Sequence, residues 1–213
     1  MNLDYFLPYL LIELPGVSDP LLKQALVRAA IDFCQRSQVW QEVAEPIVLV
    51  DGQSDYDIDA PVGAQVYLLR DAWVGAQPLR PLTLQRQQLE LAQDPSQSST
   101  VPTHFRSSAD RQSLTVYPVP KLPTASLRVK ACFVPKASAT VLPDLLGDRY
   151  LMAVCAGVKS ALMAIPGQAW SNPALSAYYH SQFDDGVLAA RMEVLYDGAP
   201  SGQLTVPPRQ FGF

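Results

Sequence analysis

Residues 19–40 read DPLLKQALVRAAIDFCQRSQVW, and this stretch decides the fold. Leu22, Ala25, Leu26, Ala29, Ala30 and Phe33 recur at helical spacing, while Lys23, Arg28, Asp32 and Gln35 fall mainly on the other side. Apolar residues three and four apart form one stripe on a helix of 3.6 residues per turn, so an amphipathic helix is expected over about 20–38. Asp19 is expected to cap its free amides. Pro20 lacks an N–H and suits the first helical position. Upstream, residues 3–13 are apolar and read as a short helix broken or begun near Pro8, with a turn at Pro15-Gly16.

Downstream, the character changes at Val39. Prolines, glycines and β-branched residues rise and helical periodicity disappears. Ile47–Val50 and Tyr56–Ile58 read as strands, and Asp51-Gly52 between them suits a hairpin or tight turn. Ala64–Val74 reads as a longer strand broken near Arg70-Asp71. Residues 82–92 (LTLQRQQLELA) favour a short helix, and 93–101 (QDPSQSSTV) a polar loop. Pro102–Arg106 reads as extended, and Leu114–Val119 as a strand after a turn at Ala109-Asp110. In 127–134, Leu127, Val129, Ala131 and Phe133 alternate with Arg128 and Lys130, the pattern of a half-buried antiparallel strand.

After Pro135 the helical pattern returns. Residues 144–165 are nearly all apolar and small, so one central buried helix is expected there, ended by Pro166-Gly167. A last helix starts at the Asn172 cap before Pro173 and runs to about Leu195, stopping before Asp197-Gly198. Its apolar stripe is Leu175, Tyr178, Tyr179, Phe183, Val187, Ala190 and Val194. Residues 199–213 (APSGQLTVPPRQFGF) carry prolines and glycines that forbid a helix or a central strand, leaving an extended arm. The fold class is therefore α+β. Terminal helices 1–40 and 141–196 form a bundle, 41–140 is an inserted antiparallel β-domain, and 197–213 is the arm.

Composition bounds what such a chain does. Its 213 residues, 48% hydrophobic, make one domain or one domain carrying an insertion, at about 100–200 residues per domain. Sixteen Lys+Arg against 20 Asp+Glu argue against a dedicated nucleic-acid binder, which needs a concentrated cationic surface. The residues around Arg80 and Arg86 are thinly spaced. Cys34, Cys132 and Cys155 sit in apolar stretches and read as buried reduced thiols. The N-terminus lacks a positive n-region, and no apolar run approaches the roughly 18–20 residues of a membrane span. A soluble chain made in the cytoplasm is expected.

Motifs for chemistry are sparse. His104 and His180 are the two histidines, and neither belongs to a ligand or protease pattern. No serine fits a nucleophile elbow. Gly157-Val158-Lys159-Ser160 looks in passing like a phosphate loop, but it lies mid-helix without the earlier glycine. Neither catalytic, metal nor cofactor residues are assigned. Asp51, Asp55, Asp57 and Asp59 form an acidic cluster lacking the glycine and glutamate of a calcium loop. It is open to three readings: a solvated hairpin face, a weak divalent site, or a negative surface facing DNA in a channel. Trp40, Trp73 and Trp170 sit near element ends and fit core packing or inter-subunit anchoring. Leu204, Val206, Phe211 and Phe213, with Arg209, lie on an arm with three readings of its own: docking into a partner's groove, a disordered tail, or packing onto its own monomer.

The order of motifs is distinctive. An LPYL turn precedes DPLxxQALxxAAIDFCxRSxxW, then a β-rich insert. PDLLxDRYLMAVCAGVKSALMAIPGQAW, NPALSAYYHSQFDDGV and a terminal RQFGF follow. Across most of its length the chain resembles the head-to-tail adaptors of tailed bacteriophages, the connector or tail tubular A-like proteins. That resemblance implies a structural protein of the virion neck. It implies a ring, usually of twelve copies, bound below the portal protein, meeting tail or nozzle proteins, with DNA passing through without specific binding. It makes Trp40 and Trp170 structural markers. It makes Leu204, Val206, Arg209, Phe211 and Phe213 the candidates for portal contact, and offers the four aspartates as channel-facing. Two other classes remain open beside it. One is a non-enzymatic binding module or other virion protein. The other is a hydrolase drawing on His104 or His180 with a carboxylate and a serine.

Overall fold

The computed structural model describes residues 1–83, 101–121 and 125–196. A 3-10 turn at Leu3–Tyr5 leads into a short helix, α1 (Leu7–Leu11), and then α2 (Asp19–Ser37). Among the described residues nine strands follow: β1 (Gln41–Val43), β2 (Ile47–Val48), β3 (Asp55–Asp57), β4 (Ala64–Val74), β5 (Gln77–Pro78), β6 (Arg80–Pro81), β7 (His104–Ser107), β8 (Ser113–Tyr117) and β9 (Ser126–Pro135). The chain closes with α3 (Asp144–Asp148), α4 (Leu151–Met163) and α5 (Pro173–Leu195). The α+β class with helices on both sides of a strand region is as the sequence indicates.

The strands form two sheets. The first runs β1-β9-β4-β5, with β2 also on β9, all antiparallel. The second runs β3-β8-β7-β6, with β6 parallel to β7. The chain passes back and forth between them: β1 and β2, then β3, then β4 and β5, then β6 to β8, then β9. Of the hairpin or tight turn expected at Asp51-Gly52, the structure has the tight turn and not the hairpin. Gly52 does turn there, at φ +76°, but β2 pairs with β9 and β3 with β8, so the turn hands the chain from one sheet to the other. The long strand β4 is continuous, and its break near Arg70-Asp71 is a shift in register between Leu69 and Asp71, matched by another between Val66 and Leu68.

The inner faces of both sheets join one continuous core with the helices, from Tyr56, Phe105, Leu114 and Val116 through Leu127, Val129 and Ala131 to Phe33 and Leu162. β9 alternates as expected up to Ala131. Beyond it Cys132 and Val134 are buried as well as Phe133, on a strand that also contacts α2. The half-buried strand is thus buried on both faces at its end. Trp40 lies there, its ring 5.9 Å from that of Phe133 and its indole N–H donating to Glu42 at 2.7 Å.

In the helical part α4 is central, with α2 and α5 packed against it. The single helix expected over 144–165 is interrupted at Arg149-Tyr150. There the Tyr150 ring turns inward to 5.1 Å from Phe33, and its hydroxyl donates to Glu193 at 2.6 Å. Two glycines allow the helices to approach. A Cβ on Gly186 would lie 2.5 Å from the Ala153 methyl, and one on Gly157 would lie 2.7 Å from the Phe183 ring. At the start of α2 the capping position belongs to Ser18, and its side chain makes no capping bond; Asp19 is already helical. Asn172 does cap α5, accepting from the Leu175 amide at 3.1 Å. Leu82 and Thr83 are described and non-helical, with the Leu82 amide bonded to the Phe105 carbonyl at 2.8 Å. The remainder of the helix expected over 82–92, most of the loop 93–101, and the arm 197–213 lie outside the described residues.

Candidate assembly surfaces

The four aspartates are all exposed. Asp55 and Asp57 flank the buried Tyr56 on β3, an edge strand of the second sheet, so the two carboxylates share its outer face. Asp55 accepts from the Thr115 hydroxyl at 2.6 Å and the Ser54 hydroxyl at 2.7 Å. These bonds, aided by the charge of Arg106 and opposed by slight burial, hold its carboxyl below the usual 3.8. Asp51 lies on the inter-sheet turn and Asp59 beyond β3. Among the described residues no three His, Cys, Asp or Glu side chains converge as metal ligands. The portal-contact candidates Leu204, Val206, Arg209, Phe211 and Phe213 lie outside the described residues.

The two histidines sit on different elements. His104 is on β7, with Nδ1 2.9 Å from the Thr103 hydroxyl. His180 is exposed on α5, with Nε2 3.5 Å from Asp184. Asp184 also receives Arg36 at 2.7 Å, and Arg36 in turn meets Asp32 at 3.5 Å, a surface network tying α2 to α5. Cys34, Cys132 and Cys155 are free and buried, and burial pushes the Cys34 thiol up to about 12 and Cys155 to about 11. Such thiols are inert. Trp73 is half-buried on β4, and Trp170 packs partly buried against the core.

One cluster escaped sequence reading. Lys159, in the middle of α4, is buried, with its side chain 7% exposed, and its ammonium donates to Glu13 at 2.7 Å. The Tyr179 hydroxyl donates to the other oxygen of Glu13, and Lys159 lies 5.0 Å from the Tyr179 ring centroid. Burial pushes the Glu13 carboxyl up, but the hydrogen bonds from Lys159 and Tyr179 and the lysine's charge outweigh it, so it stands below its ordinary 4.5. Its bond to Glu13, then burial, pushes the Tyr179 hydroxyl up to about 12. The lysine of the phosphate-loop look is therefore a structural clasp holding the segment after α1 to α4 and α5.

Two surface features of the bundle stand out. α5 buries only Phe183, Val187 and Ala190. The expected stripe is open at its start, where Leu175 and Tyr178 are exposed. On the opposite face Leu188, Met192 and Leu195 are exposed, Leu188 and Leu195 each at 60%. Beside α5, a groove of about 390 Å³ lies between α2 and α5 over α4. Leu21 and Ala25 form one wall, Gly157 and Ala161 the floor, Phe183 the other wall. A wider hollow of about 710 Å³ lies on α5's other side, around Tyr150, Met152 and Glu193. No helix is long and apolar enough, among the described residues, to cross a membrane.

No curated protein matches this chain. The family model described as SU10 adaptor protein matches residues 5–205, nearly its whole length.

Proposed function

The chain belongs to the SU10 adaptor protein family, one of phage head-to-tail adaptors, and from that premise we propose that it forms a ring below the portal that joins capsid to tail. It is a structural adaptor of a bacteriophage, a virion component that associates with other head or tail proteins. The family match is the observation that supports the ring. The uncovered apolar face of α5 supports it, since a helix apolar on both sides is ordinarily buried on both. A ring subunit meets its neighbours through such patches.

In this reading 1–40 and 141–196 form the bundle, 41–140 the inserted β-domain, and 197–213 an arm. The arm reaches the portal through Leu204, Val206, Arg209, Phe211 and Phe213. Asp51, Asp55, Asp57 and Asp59 face a channel in the neck through which DNA passes, and their charge keeps the phosphate backbone from adhering. The role is non-enzymatic. Electron microscopy of the purified protein mixed with portal rings tests the proposal. A closed ring of about twelve copies below the portal, the copy number that the resemblance implies, is the expected image. A mixture in which the chain stays monomeric and unattached rejects it.

A further inference from the structure

The outer face of α5 reads as a helix built to enter a groove. Leu188, Met192 and Leu195 stand at i, i+4 and i+7, the spacing by which a helix lays anchors into an apolar cleft. One turn earlier on the same ridge, Asp185 is exposed and, among the described residues, has no ion pair or hydrogen-bond partner. The α2–α5 groove presents the complement. Its walls are Leu21, Ala25 and Phe183, and Arg28 stands exposed on its rim, likewise without an ion pair among the described residues. Its neighbours Asp32 and His180 are already engaged with Arg36 and Asp184. One molecule thus carries an apolar ridge beside a free carboxylate, and a groove beside a free guanidinium, on different faces.

We infer that the α5 ridge of one copy docks into the α2–α5 groove of a second copy, with Asp185 of the first against Arg28 of the second. Because ridge and groove are separate patches, the contact is heterologous: every docked pair leaves one ridge and one groove open for the next copy. This inference rests on the ring reading above and gives that ring its subunit contact. The wider hollow around Tyr150 lacks the match: its cation, Arg149, is already paired with Glu193 at 2.7 Å, and its remaining charge, Asp148, is an anion like Asp185.

The test uses the full-length chain, alone and mixed with portal rings. Ala25→Cys and Met192→Cys are combined in one chain and oxidised. The native Cys34, Cys132 and Cys155 are buried and do not compete. A ladder of covalent multimers is expected, with neither single variant giving one. Separately, Arg28→Glu and Asp185→Lys should each raise the concentration needed for assembly roughly tenfold, and the double variant should restore it. Both sites are exposed, so the melting temperature of each variant reports that the fold is intact. Rings that form on the portal without any cross-linked ladder, or charge reversals that fail to rescue one another, overturn this contact and leave the ring standing. If wild type forms no ring at all, the ring reading falls and takes this contact with it. If Ala25→Cys in the monomer is shielded from maleimide and becomes reactive on deleting 204–213, the chain's own arm fills the groove and the inference is wrong.

Discussion

Glu13, Lys159 and Tyr179 come from three distant parts of the chain and meet at one point, which gives the carboxylate a measurable job. Glu13 is 35% exposed, so its pair with Lys159 is worth less than the about 3–5 kcal/mol lost when one partner of a wholly buried pair is removed. Glu13→Gln should cost about 1–2 kcal/mol near neutral pH. The sign follows from the depressed pKa. Stability from the ionised carboxylate is present above its unfolded value of 4.5 and is lost as pH falls through the lower folded value. The gap between wild type and Glu13→Gln in urea unfolding should therefore be full at pH 7 and shrink as the pH falls below 4.5. A gap independent of pH would sink the assignment. Tyr179 acts at the other end of the scale. Its raised pKa makes the hydroxyl's contribution complete below 10 and lost as pH climbs through about 12, where a phenolate would face the carboxylate.

At the scale of elements, the approach of α5 to α4 depends on Gly186. An added methyl would meet the Ala153 methyl at 2.5 Å, and neither can rotate away because both are fixed to the backbone. Gly186→Ala gains about 1 kcal/mol of helix propensity, but overpacking costs about 1–3 kcal/mol. A net fall in melting temperature is expected, and Ala153→Gly in the same chain should recover much of it. If the double variant melts no higher than Gly186→Ala alone, the two positions are not in contact. Elements differ in how much of them the chain announces. The stripe of α2, the Asn172 cap and the alternation of Leu127 to Ala131 are local patterns, legible because neighbours in sequence share one environment. The burial of Cys132 and Val134 is not legible, because it depends on what packs over the strand from elsewhere in the chain. The Asp51-Gly52 turn could be read as a hairpin or only a tight turn because turn chemistry fixes a reversal but does not say which strand the chain joins next. Lys159 looked like a stray phosphate motif because its partner Glu13 lies 146 positions earlier. The interruption at Tyr150 shows only through the ring and carboxylate that receive it.

The whole molecule is organised around what it leaves uncovered. A core that runs without a gap from the outer sheet to α4 gives the bundle a rigid base, and rigid bases are where adhesive segments are displayed to advantage, since ordering the partner surface costs nothing further. In the proposed ring, residues 197–213 are that adhesive segment, and the phenylalanines at 211 and 213 are the anchors expected to matter most, as buried aromatics dominate interfaces. If the proposed arm serves a partner and not its own monomer, deleting 204–213 leaves the melting temperature within about 2 °C of wild type. The same deletion should abolish attachment to portal rings in a pull-down, and Phe211→Ser should weaken it roughly tenfold or more. Two results would reverse this view. A truncated chain that still attaches would move the portal contact to the bundle. A fall in melting temperature of many degrees would mean the arm completes its own monomer, and the uncovered faces of α5 would then need no neighbour to explain them.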